Sequence, residues 1–161
     1  MAEAKAYYAG GCFWGVEHLF QSKAGVQSAV SGYMGGPVNN PTYQEVCTGM
    51  TGHLEVVEIS YDPEQASFEE LTKFFFEIHD PTQANGQGPD IGPQYLSAVF
   101  YSSDQERQVT QSLIDQLKEN GYNVVTRVLP VETFWPAEDY HQDYYVKKNQ
   151  QPYCHAYQKK F

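Results

Sequence analysis

The chain has 161 residues, which is enough for one ordinary domain and short for two. Hydrophobic residues make up 41% of it and charged residues 19%, so its composition excludes a disordered chain. A formal net charge of −10 disfavours nucleic acid and anionic membranes as partners. The sequence shows neither a signal peptide nor a run of about 20 apolar residues. We therefore expect a monomeric cytoplasmic protein with a single domain over residues 1–161.

The first half of the chain alternates strand and helix patterns. A strand around Lys5–Ala9 leads into two glycines, and apolar side chains at helical spacing then predict a helix over Phe13–Gln21. A second strand is predicted over Val26–Tyr33. Residues 37–52 are rich in Gly, Asn and Thr and indicate a long loop, which is uncommon unless it is functional. A third strand follows over His53–Tyr61.

The second half carries a helix that opens on a capping box, then a Gly/Pro-rich loop, a strand, a helix, a strand and a short helix. The helices are predicted over 67–80, Asp104–Asn120 and Ala137–Lys148, and the strands over Leu96–Tyr101 and Asn123–Leu129. The loop covers 81–94, and an irregular tail begins at about residue 149. The first six elements of this β-α-β-β-α-β-α-β order match the split β-α-β plan. We expect an α+β fold, a two-layer ferredoxin-like sandwich with helices on one face of a mostly antiparallel sheet.

Three widely spaced cysteines, Cys12, Cys47 and Cys154, form neither a disulfide framework nor a C-x-x-C pair. Cys12 lies between a Gly-Gly turn and the predicted start of a helix. Free backbone N–H groups and the helix dipole at such a position stabilise a thiolate and lower the pKa of a cysteine. An arbitrary cysteine is more often a small buried hydrophobe. The strand, turn and helix start together favour a reactive nucleophile.

Glu55 is the second unusual residue, because it shares a strand face with Val57, Ile59 and Tyr61. A carboxylate on an inward, apolar face has a raised pKa and can serve as a general acid near neutral pH. A twist or bulge that turns this side chain to water would leave an ordinary surface glutamate. The strand pattern alone does not decide between the two interpretations.

Polar and aromatic side chains in the loops complete a candidate site. Tyr43, Tyr95 and Asp90 lie in or beside the two long loops, and Phe13 and Trp14 follow the first cysteine. Taken alone, Tyr43 and Tyr95 are better explained by packing or surface exposure, and Trp14 could equally belong to the core. As a set they offer neutral hydroxyls and an aromatic wall beside a thiolate and a proton donor. That set suits reduction of a sulfoxide, whose oxygen must be protonated before it leaves, and requires neither metal nor organic cofactor.

Four separated blocks carry a family signature. They are Gly11-Cys12-Phe13-Trp14-Gly15; Gly32-Tyr33 with Pro41-Thr42-Tyr43-x-x-Val46-Cys47-x-Gly49-x-Thr51-Gly52-His53-x-Glu55; Gln87-Gly88-x-Asp90-x-Gly92-x-Gln94-Tyr95; and Tyr140-His141-Gln142-x-Tyr144. These blocks resemble the A-type peptide methionine sulfoxide reductases. The resemblance extends over almost the whole chain and is highly specific.

The resemblance implies that Cys12 is the nucleophile and Glu55 the proton donor. It also implies that Tyr43 and Tyr95 bind the sulfoxide oxygen. The implied substrate-binding side chains are Phe13, Trp14, Tyr43, Asp90, Tyr95 and His141. Members of the family reduce the S epimer of methionine sulfoxide, free or in proteins, through a cysteine sulfenic acid. A C-terminal cysteine, here Cys154, then forms a disulfide that thioredoxin reduces.

The chain departs from the family pattern in its loops and tail. Pro89 and Leu96 stand where many members have Asn and Arg, which affects the second loop and not the chemistry. Many members have two C-terminal cysteines, whereas only Cys154 lies in this tail, so one resolving cysteine is expected. Cys47 matches a non-catalytic position and is interpreted as a packed thiol. His155 has no regular metal-ligand spacing to its neighbours, so no metal site is predicted.

Two other classes of function compete with this interpretation. A thiol peroxidase also forms a sulfenic acid, but it needs a cationic or hydroxyl-rich site, and the Cys12 motif contains no Arg or Lys. Turnover of hydrogen peroxide against a methyl sulfoxide separates the two enzymes. An acidic binding module that uses its aromatic surface is the non-enzymatic alternative. It predicts that alkylation of Cys12 leaves function intact.

Overall fold

A computed structural model describes residues 4–11, 13–36, 38–39, 41–48, 51–87, 90–138, 142 and 160. The strands are β1 Ala4–Gly10, β2 Val26–Met34, β3 Leu54–Tyr61, β4 Gly86–Gln87, β5 Asp90–Ile91, β6 Ser97–Tyr101, β7 Arg127–Pro130 and β8 Trp135–Pro136. The helices are α1 Phe13–Gln21, α2 Tyr43–Cys47, α3 Phe68–Ile78 and α4 Asp104–Glu119, with a 3-10 turn at Pro93–Tyr95. No helix in the described ranges is long and apolar enough to span a membrane.

Six of the strands form one sheet in the order β7-β6-β1-β3-β2-β8. All neighbouring pairs are antiparallel except β6 and β7, which run parallel. Strands β4 and β5 form a separate antiparallel pair inside the second predicted loop. The fold is therefore a mixed α/β arrangement with helices and a mostly antiparallel sheet, as the sequence predicts.

The main core lies between the helices and one face of the sheet. Tyr8 of β1 stacks between Phe20 of α1 and Phe75 of α3, with ring centroids 5.4 and 4.9 Å apart. Its hydroxyl is satisfied by Thr72 Oγ1 at 2.8 Å. Burial of each such aromatic side chain stabilises the fold by roughly 1.5–3 kcal/mol. The predicted apolar face of α3 accordingly packs inward.

The opposite face of the sheet is also buried. Every residue of β3 except Glu58 is buried, so this strand is covered on both sides. A second apolar cluster occupies that face, formed by Ala9, Met34, Leu54, Val56, Ala98 and Phe100. Two-sided burial fixes the register of β3 strongly, because a one-residue slip would exchange its two faces.

Three predicted elements need correction. The segment 37–52 is not a continuous loop, because α2 forms inside it behind the capping box of Thr42 and Glu45. The loop 81–94 contains the β4–β5 pair and the 3-10 turn. The strand predicted over Asn123–Leu129 begins only at Arg127, because the preceding residues connect α4 to the edge of the sheet.

A further strand was not predicted. Trp135–Pro136 pairs with Gly32 and Tyr33 of β2, since residues 135 and 136 supply the backbone groups that complete this sheet edge. The helix predicted over Ala137–Lys148 lies mostly outside the described residues. Its first two residues, 137 and 138, are not helical.

The turn between β1 and α1 depends on two glycines. Gly11 has a φ of 93°, in the left-handed region that favours glycine. A Cβ at Gly10 would lie 2.9 Å from Phe75 Cε1 and 3.3 Å from Val16 Cγ2. Gly10 therefore lets the end of β1 pack directly against α3, which sets where α1 begins.

Candidate active site

Glu55 lies near the start of β3, opposite Tyr33 of β2. Its residue exposure is 1%, and it shares the helix-facing side of the strand with Val57 and Ile59. The β2–β3 register is continuous here, and the one irregularity falls between Val26 and Ser28. Of the two interpretations that the strand pattern leaves open, the inward orientation is observed and a bulge at Glu55 is not.

The Glu55 carboxyl is held in a neutral state by its surroundings. Burial raises its pKa from 4.5 to about 8, the backbone N–H of Phe13 lowers it, and the charge of Asp90 raises it further. Its Oε1 accepts the Phe13 N–H at 3.2 Å. Its Oε2 is buried and has no hydrogen-bond partner among the residues that the structure describes. A protonated Oε2 is thus available to donate.

Two tyrosine hydroxyls lie close to this carboxyl. Tyr43 begins α2 and Tyr95 ends the 3-10 turn, and both are half-buried. Burial is the largest cause that raises each pKa well above its ordinary value, and the Glu55 charge raises both further. A hydrogen bond joins the two side chains, and Asp90 adds to the raised pKa of Tyr95. Both hydroxyls are therefore neutral donors at physiological pH.

Aromatic rings form a wall on one side of the site. Phe13 is fully buried, and its ring centroid lies 6.5 Å from Trp14, 6.1 Å from Tyr43 and 5.6 Å from Tyr33. Trp14 and Tyr43 stack at 6.0 Å. The first turn of α1 and the first residue of α2 therefore share one apolar surface. Such a surface suits a small apolar group of a ligand.

Two devices hold α2 in place. In the capping box, Glu45 N donates to Thr42 Oγ1 at 3.2 Å and Thr42 N donates to Glu45 Oε1 at 2.9 Å. Glu138 joins this helix to the sheet, because it accepts the Tyr33 hydroxyl at 3.0 Å and the Tyr43 backbone N–H at 3.1 Å. The position of the Tyr43 ring follows from these contacts.

The second loop is tied to the end of α3. Asp80 N donates to Gln87 Oε1 at 2.7 Å, and Gln87 Nε2 donates to the Asp80 carbonyl at 2.9 Å. Gln87 is 3% exposed, so this amide pair is shielded from water. Gln87 is the last residue of β4, and its partner strand β5 begins with Asp90, whose charge acts on Glu55 and Tyr95.

The family described as peptide methionine sulfoxide reductase matches residues 4–161 of the chain. The chain belongs to this family. The reductase MsrA of Nautilia profundicola is 51% identical over 150 residues, which cover 93% of this chain and 87% of that protein. The MsrA of Acidobacterium capsulatum is 51% identical over 148 residues, with coverage of 90% and 95%.

Solved structures show the same fold. Reduced Mxr1 from Saccharomyces cerevisiae matches with a TM-score of 0.91 and 35% identity, over 97% of this chain and 92% of Mxr1. Mxr1 in complex with Trx2 matches with a TM-score of 0.66 and 23% identity, over 97% of this chain and 90% of that chain. At this identity the match shows a likeness of fold alone. As a peptide methionine sulfoxide reductase, this protein is a thiol-dependent oxidoreductase that reduces methionine sulfoxide.

The structure brings together six of the predicted site residues of this reductase: Glu55, Phe13, Trp14, Tyr43, Asp90 and Tyr95. Cys12, Cys154 and His141 lie outside the described residues, although Gly11 and Phe13 flank the position of Cys12. Within the described ranges, no group of three or more His, Cys, Asp or Glu side chains could hold a metal ion.

Cys47 corrects one expectation for the reductase. It is exposed at the end of α2 and is not a packed thiol, because Val46 is the only buried residue of that helix. Burial of its thiol nevertheless raises its pKa, and a hydrogen bond to Tyr43 lowers it. Sequence reasoning also gave no role to Gln87 or Glu138. The only indication for Gln87 in the sequence is that it begins one of the four blocks of the family signature. Nothing in the sequence indicates a role for Glu138.

Proposed function

We propose that this chain reduces the S epimer of methionine sulfoxide, free or in proteins, with Cys12 as nucleophile and Glu55 as proton donor. The state of Glu55 carries this proposal. Its carboxyl is buried, its pKa is raised to about 8, and its Oε2 is unpaired among the described residues. An acid that is protonated at neutral pH and free to donate is what a departing sulfoxide oxygen needs.

The chemical step transfers one oxygen atom. The Cys12 thiolate attacks the sulfoxide sulfur, and Glu55 protonates the oxygen as negative charge builds on it. The neutral hydroxyls of Tyr43 and Tyr95 donate hydrogen bonds to the same oxygen and stabilise that charge. When the S–O bond to methionine breaks, the products are a thioether and the Cys12 sulfenic acid. A thiol and a sulfoxide are consumed, so electrons and oxygen balance.

The aromatic wall gives this site its preference for a methyl sulfoxide. Phe13 and Trp14 lie beside Tyr43, so an apolar methyl group fits against them while the oxygen faces the hydroxyls. The methyl group and the oxygen on one sulfur atom are then held by different groups, the oxygen by hydroxyls and the methyl group by aromatic rings. This arrangement supports selection of one epimer. Asp90 and His141 are proposed to organise the pocket.

Regeneration uses Cys154 and an external reductant. The Cys154 thiol attacks the sulfur of the Cys12 sulfenic acid, which forms a disulfide and releases water. Thioredoxin is proposed to reduce that disulfide by thiol exchange, and yeast Mxr1 is seen in complex with Trx2. A single domain over 1–161, a monomeric state and a cytoplasmic location stay predictions.

The strand order supports a finer description of the fold. We infer that β1, α1, β2, β3, α3 and β6 form a split β-α-β core of the ferredoxin-like type. The four strands lie in the order β6-β1-β3-β2, with antiparallel neighbours throughout. Strands β7 and β8 then extend the two edges of this core.

Assays of the two sulfoxide epimers test the proposed reaction. We expect turnover of the S epimer alone, with thioredoxin and with a small dithiol, and no turnover of hydrogen peroxide at a comparable rate. Cys12→Ser should abolish reduction with either reductant, because a hydroxyl is far less nucleophilic than a thiolate. Cys47→Ser is the matched control and should keep activity. Substantial turnover by Cys12→Ser would refute the proposed role of Cys12.

A further inference from the structure

Lys160 makes three hydrogen bonds to the C-terminal end of α3 and one to Asn120, which follows α4; the four are together called the Lys160 anchor. Its Nζ donates to the carbonyls of Phe76 at 2.9 Å and His79 at 3.1 Å. Its backbone N–H donates to Glu77 Oε2 at 3.1 Å, and Asn120 Nδ2 donates to its carbonyl at 3.3 Å. An ammonium group at this end of a helix is also favoured by the helix dipole.

The Lys160 anchor lies next to the strand that leads to Cys12. The ring of His79 is 3.5 Å, at Cγ, from where a Cβ of Gly10 would stand. Its Nδ1 is 2.6 Å from the Phe75 carbonyl and its Nε2 is 2.8 Å from Ser97 Oγ, so the ring is fixed. One residue, His79, therefore contacts both Lys160 and the end of β1, two positions before Cys12.

The sequence distance from the Lys160 anchor limits where Cys154 can go. Cys154 precedes Lys160 by six residues, and six extended residues span at most about 22 Å. On the other side, Gln142 is fixed to β2, where its Nε2 donates to the Ser31 carbonyl and its Oε1 accepts the Ser31 N–H, both at 2.9 Å. Cys154 thus lies between two residues, Gln142 and Lys160, that are each hydrogen-bonded to the fold.

We propose that Lys160 is a positioning residue that keeps Cys154 near Cys12 for disulfide formation. The inference rests on the proposed function, in which the Cys154 thiol attacks the Cys12 sulfenic acid. In that step the S–S bond forms, the S–O bond breaks, and the thiol proton leaves with the hydroxyl group as water. Lys160 takes no part in the bond changes. It acts by shortening the tether on the attacking thiol.

The size of the effect follows from tether length. Without the Lys160 anchor, the nearest described attachment is Gln142, twelve residues before Cys154 instead of six after it. Effective concentration falls as about the −3/2 power of tether length, so doubling the length lowers it by about threefold. Sulfoxide reduction at Cys12 does not involve the tether and should keep its rate.

The inference is tested by letting two reactions compete for the Cys12 sulfenic acid, disulfide formation with Cys154 and capture by an added trapping reagent. One sulfoxide equivalent is added without reductant, in the presence of a dione that traps sulfenic acids. The ratio of Cys12–Cys154 disulfide to trapped Cys12 is then measured by mass spectrometry. Lys160→Met removes the two Nζ hydrogen bonds and leaves the two backbone ones, so this ratio should fall by up to about threefold. Lys160→Arg should restore it because the guanidinium keeps donors to both carbonyls. Lys118→Met, on the exposed last turn of α4, is the control and should match the wild type.

The outcomes separate this inference from the function on which it rests. An unchanged ratio in Lys160→Met would overturn the role of Lys160 and leave the proposed function intact. A slower single-turnover reduction in Lys160→Met would also overturn it, because the residue would then support the site as a whole. Absence of the Cys12–Cys154 disulfide from every protein, including the wild type, would refute the proposed regeneration itself.

Discussion

The charge state of Glu55 depends on pH in a direction that can be worked out. Its pKa is raised by burial from 4.5 to about 8, so the folded protein holds a proton that the unfolded chain releases between those values. Stability contributed by the neutral carboxyl is full below about pH 4.5 and is lost as pH rises through about 8. Glu55 therefore destabilises the folded protein most at alkaline pH, where its buried carboxylate is charged.

Substitution of Glu55 by Gln tests its role as proton donor. Gln keeps the shape and cannot deliver an acidic proton, so single-turnover reduction at neutral pH should slow by about 10²–10⁴. In the wild type this rate should fall as pH rises above about 8, and Glu55→Gln should lack that fall. Rapid-quench measurement of methionine formation between acid and alkaline pH gives both results.

Glu58→Gln provides the matched control for this experiment. Glu58 lies on the same strand, where it accepts the Tyr7 hydroxyl at 2.9 Å on the face away from Glu55. It should keep the wild-type pH profile. A thermal melt adds a second readout, because the loss of Tm from pH 5 to 8 should be smaller in Glu55→Gln than in the wild type. A normal single-turnover rate for Glu55→Gln at pH 7 would count against the assignment.

The sequence leaves the inward position of Glu55 open and does not predict its protonation state. Strand alternation places it with Val57 and Ile59 if the register is continuous, and only the observed β2–β3 pairing shows that it is. Its neutral form depends first on burial and then on the charge of Asp90, against the opposing Phe13 N–H, and these groups come from different parts of the fold. Such a combination has no pattern along the chain. The roles of the tyrosines likewise came from family resemblance and not from periodicity.

Among the elements, α2 shows why short structure escapes periodicity. Its five residues are fewer than two turns, so no repeating apolar face can be recognised. The capping box of Thr42 and Glu45 was present in the sequence, but it stands in a segment rich in Gly, Asn and Thr. The two-residue strand β8 carries even less signal, since its pairing depends on where β2 ends.

Removal of the cap of α2 tests whether this helix positions Tyr43. Thr42→Ala should weaken α2 by about 1 kcal/mol, which corresponds to a loss of up to about fivefold in the population of the ordered site. We expect a lower single-turnover rate at subsaturating sulfoxide, with little change in Tm because Val46 is the only buried residue of α2. Stopped assays and a thermal melt measure the two effects.

The matched control for this cap is Ser103→Ala. Ser103 caps α4, where its side chain accepts the Glu106 N–H at 3.2 Å, and α4 lies against β6 and β7. Its removal should lower Tm while the rate at each sulfoxide concentration stays unchanged. Equal effects of both substitutions on the rate would show that α2 has no special part in placing Tyr43.

On the scale of the whole molecule, the central sheet carries a buried apolar cluster on each of its two faces. The site assembles on its helix-facing side from the start of α1, from α2, from β3 and from the second loop. The order of the main strands and helices was predictable, because each presents a long apolar pattern. The contacts that bring the loops together were not, since Gln87 and Glu138 each act through two hydrogen bonds that follow no pattern along the chain.

The identity of the resolving cysteine is the remaining prediction for the whole molecule. Cys154→Ser should reduce one sulfoxide per enzyme and stop at the Cys12 sulfenic acid. It should lose turnover driven by thioredoxin and keep some with a small dithiol, which can attack Cys12 directly. Steady-state assays with the two reductants, together with one-equivalent titrations, measure this.

The competing candidate is Cys47, which is exposed and hydrogen-bonded to Tyr43 inside the site. Its raised pKa makes it a weaker attacking thiol, because the thiolate is the nucleophile. A Cys12–Cys154 disulfide also requires the two Cα atoms to come within about 7 Å, which the tether from Lys160 favours. Peptide mapping after one sulfoxide equivalent without reductant decides between them. A dominant Cys12–Cys47 linkage would overturn the scheme, because Cys154 would then have no thiol chemistry to perform.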